Sequence, residues 1–215
     1  MSDIIKYAEI QGIISKYYPL GIDRSDPKYE EYKGTSDLKT LVAEHLHNSQ
    51  KRSQWDTLIN TIKAVFPELI EVREIRQPFD TCYSLEIPIN RREIDNFVYE
   101  QRLYCHLSFL GKYFCLYGLD YIQVHNNENR IQFQPVLTIS PCNNYQEYLK
   151  KIRILTEEGF PTYRFLSFLY LRIQVDGLRI FSNLLKGNQF SNVFQALFIP
   201  KNITDYVRYG DMHYK

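Results

Sequence analysis

The chain has 215 residues, of which 44% are hydrophobic and 15% are aromatic. Its 26 lysine and arginine residues almost balance 25 aspartate and glutamate residues, so the formal net charge is +1. A net charge this close to zero does not give the positive electrostatic field that is typical of nucleic-acid-binding proteins. The hydrophobic content is too high for a disordered chain. No apolar run approaches the roughly 20 residues needed to cross a bilayer. We therefore expect one folded domain that binds neither nucleic acid nor membrane.

The first residues of the chain do not have the pattern of a secretory signal. Asp3 and Glu9 lie where such a signal has a basic start followed by an unbroken apolar core. We therefore expect a cytoplasmic protein. In that compartment the four cysteines are expected to be reduced, although an even number also permits two disulfides; they are Cys82, Cys105, Cys115 and Cys142.

Residues 1–68 are predicted to be mainly helical, because their apolar residues recur at three- and four-residue intervals. Pro19 and Gly21 are expected to end the first helix. Two further helical patterns follow. The polar sequence at 48–53 either separates these two helices or lies within one long helix.

Residues 69–139 are predicted to form an antiparallel meander of about five strands. Here the apolar period changes to two, which is typical of half-buried strands. A first turn is predicted at 78–81. Gly111 and Lys112 predict a tight turn between two long strands, and Gly118 predicts a bulge in the second of them.

Residues 140–215 are predicted to contain a helix followed by a mixed segment. Asn144 is expected to cap the helix, and Asn192 is expected to cap a second, short one. The block at 163–175 is apolar enough to be either a buried helix or a buried strand. Together these patterns predict a single-domain α+β protein in which helices pack on an antiparallel sheet, in two layers.

No pattern in the sequence indicates a metal, a cofactor or a catalytic group. The cysteines form no CxxC pair, and His45 and His47 are spaced so that they diverge on a helix. Sequences of the GxSxG, GxGxxG and GxxxxGK[ST] types are missing. We therefore predict no catalytic residue, no metal site and no cofactor. The alternative is an enzyme whose site is assembled from scattered residues.

Tyrosines are unusually frequent, with 18 in the chain. Exposed tyrosines give large contact areas at a low entropy cost, and protein interfaces are enriched in them. We predict a partner-binding surface on the central hairpin. Its tyrosine rings would anchor the partner, and the carboxylate of Asp120 would select a basic one. A one-residue error in register moves all of these side chains to the other face, so packing in the core is the alternative. The predicted residues are Tyr104, Tyr113, Tyr117, Asp120 and Tyr121.

Three segments carry a resemblance to a group of bacterial proteins. They are HLSFLGKYFCLYG, GFPTYRFLSFLYLRIQVDGL and NVFQALF, and they lie within residues 103–198. Their pattern of apolar and aromatic positions resembles proteins associated with toxin-immunity and interbacterial competition loci. The resemblance implies a small cytoplasmic protein that binds and neutralises a cognate protein toxin, without chemistry of its own. It assigns no functional residue and leaves the oligomeric state open.

Overall fold

The structure, a computed structural model, describes residues 5–69, 71–76, 80–126, 129–180, 190–199, 201 and 203–214. Within these residues the chain has an α+β fold with seven helices and one sheet of eight strands. No described helix has the length and apolar character to span a membrane. The helices are α1 (Tyr7–Tyr17), α2 (Pro27–Glu31), α3 (Lys33–His47), α4 (Ser49–Val65), α5 (Gln146–Gly159), α6 (Phe168–Leu171) and α7 (Val193–Leu197).

The boundaries of the N-terminal helices follow from local chemistry. Helix α1 ends before Pro19, as predicted. Helices α3 and α4 are separate, because Asn48 between them has an extended backbone and its side chain accepts the N–H of Lys51. A side-chain oxygen in this position satisfies one of the free N–H groups at a helix start. The alternative of one long helix is therefore wrong.

The sheet is mostly antiparallel, with the order β1-β2-β3-β4-β6-β8. Strands β2, β3 and β4 are long neighbours in an antiparallel meander, as predicted. The expected number of about five strands is too small, because six of the described strands lie within residues 69–139 and two more lie beyond them. The strands are β1 (Arg73–Ile75), β2 (Cys82–Ile94), β3 (Phe97–Ser108), β4 (Tyr113–Asn126), β5 (Asn129–Gln132), β6 (Val136–Thr138), β7 (Arg164–Phe165) and β8 (Val207–Tyr209).

The outer edge of β4 is completed by three short strands placed end to end. Strand β7 pairs with the start of β4 in parallel, β6 pairs with its middle, and β5 pairs with its end. Strand β8 then adds to β6 in parallel. These short strands satisfy the backbone groups that an edge strand otherwise leaves unpaired.

The middle of the sheet is covered on both faces, so the prediction of two layers is wrong there. On one face, which we call the α5 face, Cys105 lies 3.9 Å from Thr156 of α5, measured from sulfur to hydroxyl oxygen. On the other, the α7 face, Ser108 donates a hydrogen bond of 2.7 Å to the carbonyl of Leu197. The ring of His106 lies on the same face, edge-on to Phe194 of α7. Helices thus lie on both sides of the strands.

Gly118 does not form the predicted bulge. It pairs regularly with Leu103, and the register shift lies instead in β2, between Pro88 and Asn90. A Cβ atom at Gly118 would lie 2.4 Å from Cε1 of Tyr145. The glycine therefore makes room for the Tyr145 ring against the strand.

Other local predictions had mixed outcomes. Asn192 caps α7 through a reciprocal pair of bonds with Gln195, as predicted. Asn144 makes no cap; it lies in a 3₁₀ turn (Asn143–Tyr145) before α5 and donates to Gln101 instead. The block at 163–175 is neither one helix nor one strand, since it contains both β7 and α6. The turn predicted at 78–81 lies largely outside the described residues.

Candidate functional site

The tyrosines predicted to bind a partner are buried. Tyr104, Tyr113, Tyr117 and Tyr121 are 6%, 1%, 3% and 8% exposed. The expected exposure is therefore wrong. Phe194 of α7 packs on Tyr117, whereas the Tyr113 hydroxyl donates to Glu9 of α1 at 2.8 Å. Asp120 alternates to the α5 face and is partly buried.

The hydroxyl of Tyr104 belongs to a buried polar network on the α7 face. It donates to the Glu86 carboxylate at 2.7 Å and lies 3.1 Å from the hydroxyl of Tyr121. Arg102 bridges the carboxylates of Glu86 and Glu100 at 3.1 and 2.6 Å. Burial raises the pKa of Tyr104, and its acidic neighbours add to the shift. The network neutralises Glu86 inside the fold.

A second buried chain joins Ser84, His106 and Tyr117. The Ser84 hydroxyl lies 2.8 Å from Nδ1 of His106, and the Tyr117 hydroxyl lies 2.8 Å from its Nε2. A serine beside a histidine is the geometry of a nucleophile and its base. However, Ser84 is 1% and His106 0% exposed, and burial lowers the pKa of His106 to about 3. No substrate reaches this pair in the present conformation, so its role is to satisfy buried polar atoms.

The Asp120 carboxylate is held by neighbours on the α5 face. Tyr145 donates to it at 2.6 Å, Tyr99 at 2.9 Å and Gln101 at 3.2 Å. Three donors fix the carboxylate in place instead of leaving it to select a basic partner.

Metal and thiol chemistry have little geometric support. The described residues contain no group of three or more His, Cys, Asp or Glu side chains that could hold a metal ion. Cys82, Cys105 and Cys115 are buried, and burial raises the pKa of the Cys105 thiol to about 12. A thiol with a raised pKa is a poor nucleophile at neutral pH. That the cysteines are reduced and metal-free in solution stays a prediction.

Two cavities open at the ends of the helices. One, of about 370 Å³, lies between α1, α2 and α3 and has walls that include Tyr18, Tyr29 and Leu38. The other, of about 390 Å³, lies where α3 and α4 meet the β3–β4 turn, and we call it the His45 cavity. Both volumes are within the range of small-molecule sites.

The most conspicuous surface feature lies at the far end of the sheet. Ile94 pairs with Phe97, Phe97 with Val124, and Val124 with Ile131, so one row crosses four strands. Alternation places the row on the α5 face, beyond the 3₁₀ turn and α5. Ile94, Phe97 and Ile131 are 66%, 40% and 51% exposed, and Val124 is half-buried. We call these four residues the distal apolar patch.

The opposite face at this end is covered only in part, since Glu93, which pairs with Val98, is exposed there. Val98 and Gln123 alternate to the α7 face and are 7% and 8% exposed. Phe133, directly after β5, is 51% exposed and adds apolar surface near the patch. An exposed apolar row on one face of a sheet is typical of an interaction surface.

Sequence reasoning missed the distal apolar patch. Its residues alternate with charged ones in RREIDNFVYE, so each apolar residue looks isolated. The available signal in the sequence was the pair Asp95-Asn96, residue types that favour tight turns. In the structure Asp95 has a φ of 51°, in the left-handed region that aspartate tolerates. A two-residue turn there brings Ile94 opposite Phe97.

The chain matches no protein-family model, no curated protein and no solved structure. The resemblance to toxin-immunity proteins therefore rests on the three sequence segments alone. The distal apolar patch and the His45 cavity are the features of the described residues from which a function can be inferred.

Proposed function

We propose that the chain is a non-enzymatic binding protein that docks a protein partner on the distal apolar patch. The supporting observation is the row of four apolar side chains that crosses β2, β3, β4 and β5 on an open face. In rows of this kind the side chains directly opposite one another on neighbouring strands contact each other and form one continuous surface.

The energetics favour a partner of complementary apolar character. Full burial of an isoleucine or phenylalanine side chain contributes about 1.5–3 kcal/mol, so covering one that is half exposed contributes roughly 1 kcal/mol. A specific interface buries about 800 Å² on each side, which is more than this patch alone supplies. The patch is therefore the core of the interface. Arg92, which precedes Ile94 by two positions on the same face and pairs with Tyr99, forms part of its rim.

The partner that we propose is a cognate protein toxin, neutralised by occupation in the cytoplasm. The three segments that resemble toxin-immunity proteins support this choice, and so does the burial of Ser84 and His106, which leaves that pair without access to a substrate. An immunity protein of this kind requires an exposed surface and no catalytic group.

The proposal is tested with a double variant, Ile94→Lys with Ile131→Lys. The neighbouring gene product is co-expressed with the chain, and its binding is measured by calorimetry together with the survival of cells that express it. We expect binding to weaken about 30-fold or more, because loss of an interface core costs on the order of 2 kcal/mol or more. Protection of the cells should fall in parallel.

The matched control is Ile154→Lys on α5, where the isoleucine is 45% exposed and lies outside the patch. This variant should bind and protect like the original chain. Equal binding by the double variant, with the fold intact by circular dichroism, would show that the patch is not the docking surface. Failure of the original chain to bind or protect would reject the toxin-neutralising function itself.

A further inference from the structure

The His45 cavity is lined by charged, polar and aromatic side chains, whereas the distal apolar patch consists of apolar side chains alone. One side is formed by the end of α3 and the start of α4, which contribute His45 and Lys51. The other side is formed by the β3–β4 turn, which contributes Phe109 and Lys112. The cavity holds about 390 Å³. This is some two and a half times the volume of the ~150 Å³ engineered cavity that binds benzene.

The charged groups in the wall all have the same sign. The described lining residues include two lysines, Lys51 and Lys112, and no carboxylate. Lys51 also lies in the first turn of α4, where the helix dipole is positive. The nearby carboxylates Asp56 and Glu74 are both bound by Arg52, at 3.1 and 2.6 Å. The cavity is therefore a place where an anion is favoured.

His45 lines the cavity as a neutral ring with a buried donor that is unsatisfied among the described residues. The ammonium of Lys51 lies 3.1 Å from Nε2 of His45, and an ammonium can only donate, so Nε2 is the acceptor. The neutral ring then carries its proton on Nδ1. Burial, together with the charge of Lys51, lowers the pKa of His45 to about 4, which is consistent with a neutral ring. Nδ1 is buried and has no hydrogen-bond partner among the described residues.

A buried donor without an acceptor destabilises the fold. The His45 ring is held in place by stacking on Phe109, with ring centroids 4.4 Å apart, so the donor does not turn away easily. The neutral ring thus lies beside Lys51, and the charge of the wall comes from Lys51 and Lys112.

The remaining wall suits an apolar or aromatic body. Phe109, Phe160 and Tyr163 line the cavity, with Leu107 and Leu110 beside them. The rings of Phe160 and Tyr163 meet edge to face at 5.5 Å, which leaves flat apolar surface for a third ring. We propose that the His45 cavity binds a small organic anion, a carboxylate or phosphate carried on an aromatic or aliphatic body.

The test compares two probes of nearly equal shape on the full chain. 1-Naphthoate carries a carboxylate, whereas 1-naphthamide carries a neutral amide on the same rings. We expect 1-naphthoate to saturate the protein below about 1 mM in calorimetry and to bind at least about tenfold more tightly than the amide. The double variant Lys51→Gln with Lys112→Gln should remove most of that difference, with a loss of about tenfold or more for the anion alone.

Two controls locate the site. Lys150→Gln removes an exposed lysine of α5 outside the cavity and should leave the affinity for 1-naphthoate unchanged. The Ile94→Lys, Ile131→Lys variant should bind 1-naphthoate as the original chain does, because its changes lie on the distal apolar patch. The proposal is overturned by equal affinity for the two probes, by no saturation with 1-naphthoate up to about 1 mM, or by no effect of the lysine substitutions.

Discussion

The two ends of the sheet are built from the same three strands, β2, β3 and β4, but they differ in what covers them. Near α5 and α7 both faces are buried, and even polar side chains such as Ser84 and His106 have almost no exposed surface. At the far end Val98 and Gln123 on the α7 face are buried, whereas Ile94 on the other face is 66% exposed. The alternation of the sequence is similar at both ends. The alternation of apolar and polar residues thus assigns side chains to the two faces of the sheet. The helices and loops packed on the sheet determine which of these faces stays exposed for binding.

The largest expected contrast is between two phenylalanines on the α5 face of adjacent strands. Phe114 is 0% and Phe97 is 40% exposed. Phe114→Ala should lower the free energy of unfolding by about 3–5 kcal/mol, because it leaves a cavity in a packed region. Phe97→Ala should lower it by less than about 1 kcal/mol. Urea denaturation measures both values, and similar losses would contradict the division of the sheet into a covered and an open end.

Mild acid should lower the free energy of unfolding through His106, which is buried at the covered end of the sheet. Burial lowers the pKa of His106 to about 3, whereas an unfolded histidine titrates near 6.5. Below pH 6.5 the unfolded chain binds a proton at this histidine, whereas the folded chain does not. The free energy of unfolding therefore decreases as the pH is lowered, until the pKa of the folded state is reached. Between pH 7 and pH 5 the free energy of unfolding should fall by roughly 2 kcal/mol from His106.

His45, whose pKa is also lowered, acts in the same direction. The control is His125→Gln at the far end, where the histidine is exposed. This variant should retain the full pH dependence, whereas His106→Gln should lose part of it. A stability that does not change between pH 7 and pH 5 would mean that these rings are not buried as described.

A smaller contrast is expected between two tyrosine hydroxyls that both bind carboxylates. Tyr104→Phe removes a donor from buried Glu86 and should cost about 1.5 kcal/mol or more of stability. Tyr99→Phe removes a donor from Asp120, which keeps Tyr145 and Gln101, so the cost should be below about 0.5 kcal/mol. Thermal unfolding of the two variants measures the difference. A larger loss at Tyr99 would place the more critical carboxylate at the open end.

The long elements of the fold were predictable from sequence because their periods extend over many residues. Strands β2 to β4 and helices α1 and α5 are of this kind. Strands β7 and β8 contain two and three residues, too few to show any period, and their pairing depends on distant partners. Their existence follows from the free edge of the sheet and not from their own residues.

The site was predicted less well than the fold. The burial of Tyr104, Tyr117 and Tyr121 could not be predicted, because the covering α7 lies far along the chain and its five residues do not specify where it packs. Ile94 and Ile131 were missed for the opposite reason. Each is surrounded by polar residues, and only strand pairing brings them into one row.

The end-to-end strands on β4 have a consequence for how the chain is made. A ribosome releases β4, β5 and β6 before β7 and β8 are complete, so the start of β4 and the outer edge of β6 stay unpaired while the remaining chain is synthesised. Contacts between distant segments also form slowly, because their loops must close first. During this interval the nascent chain presents an edge to which strands of other molecules can add. We therefore expect that prompt completion of that edge reduces aggregation at high rates of synthesis.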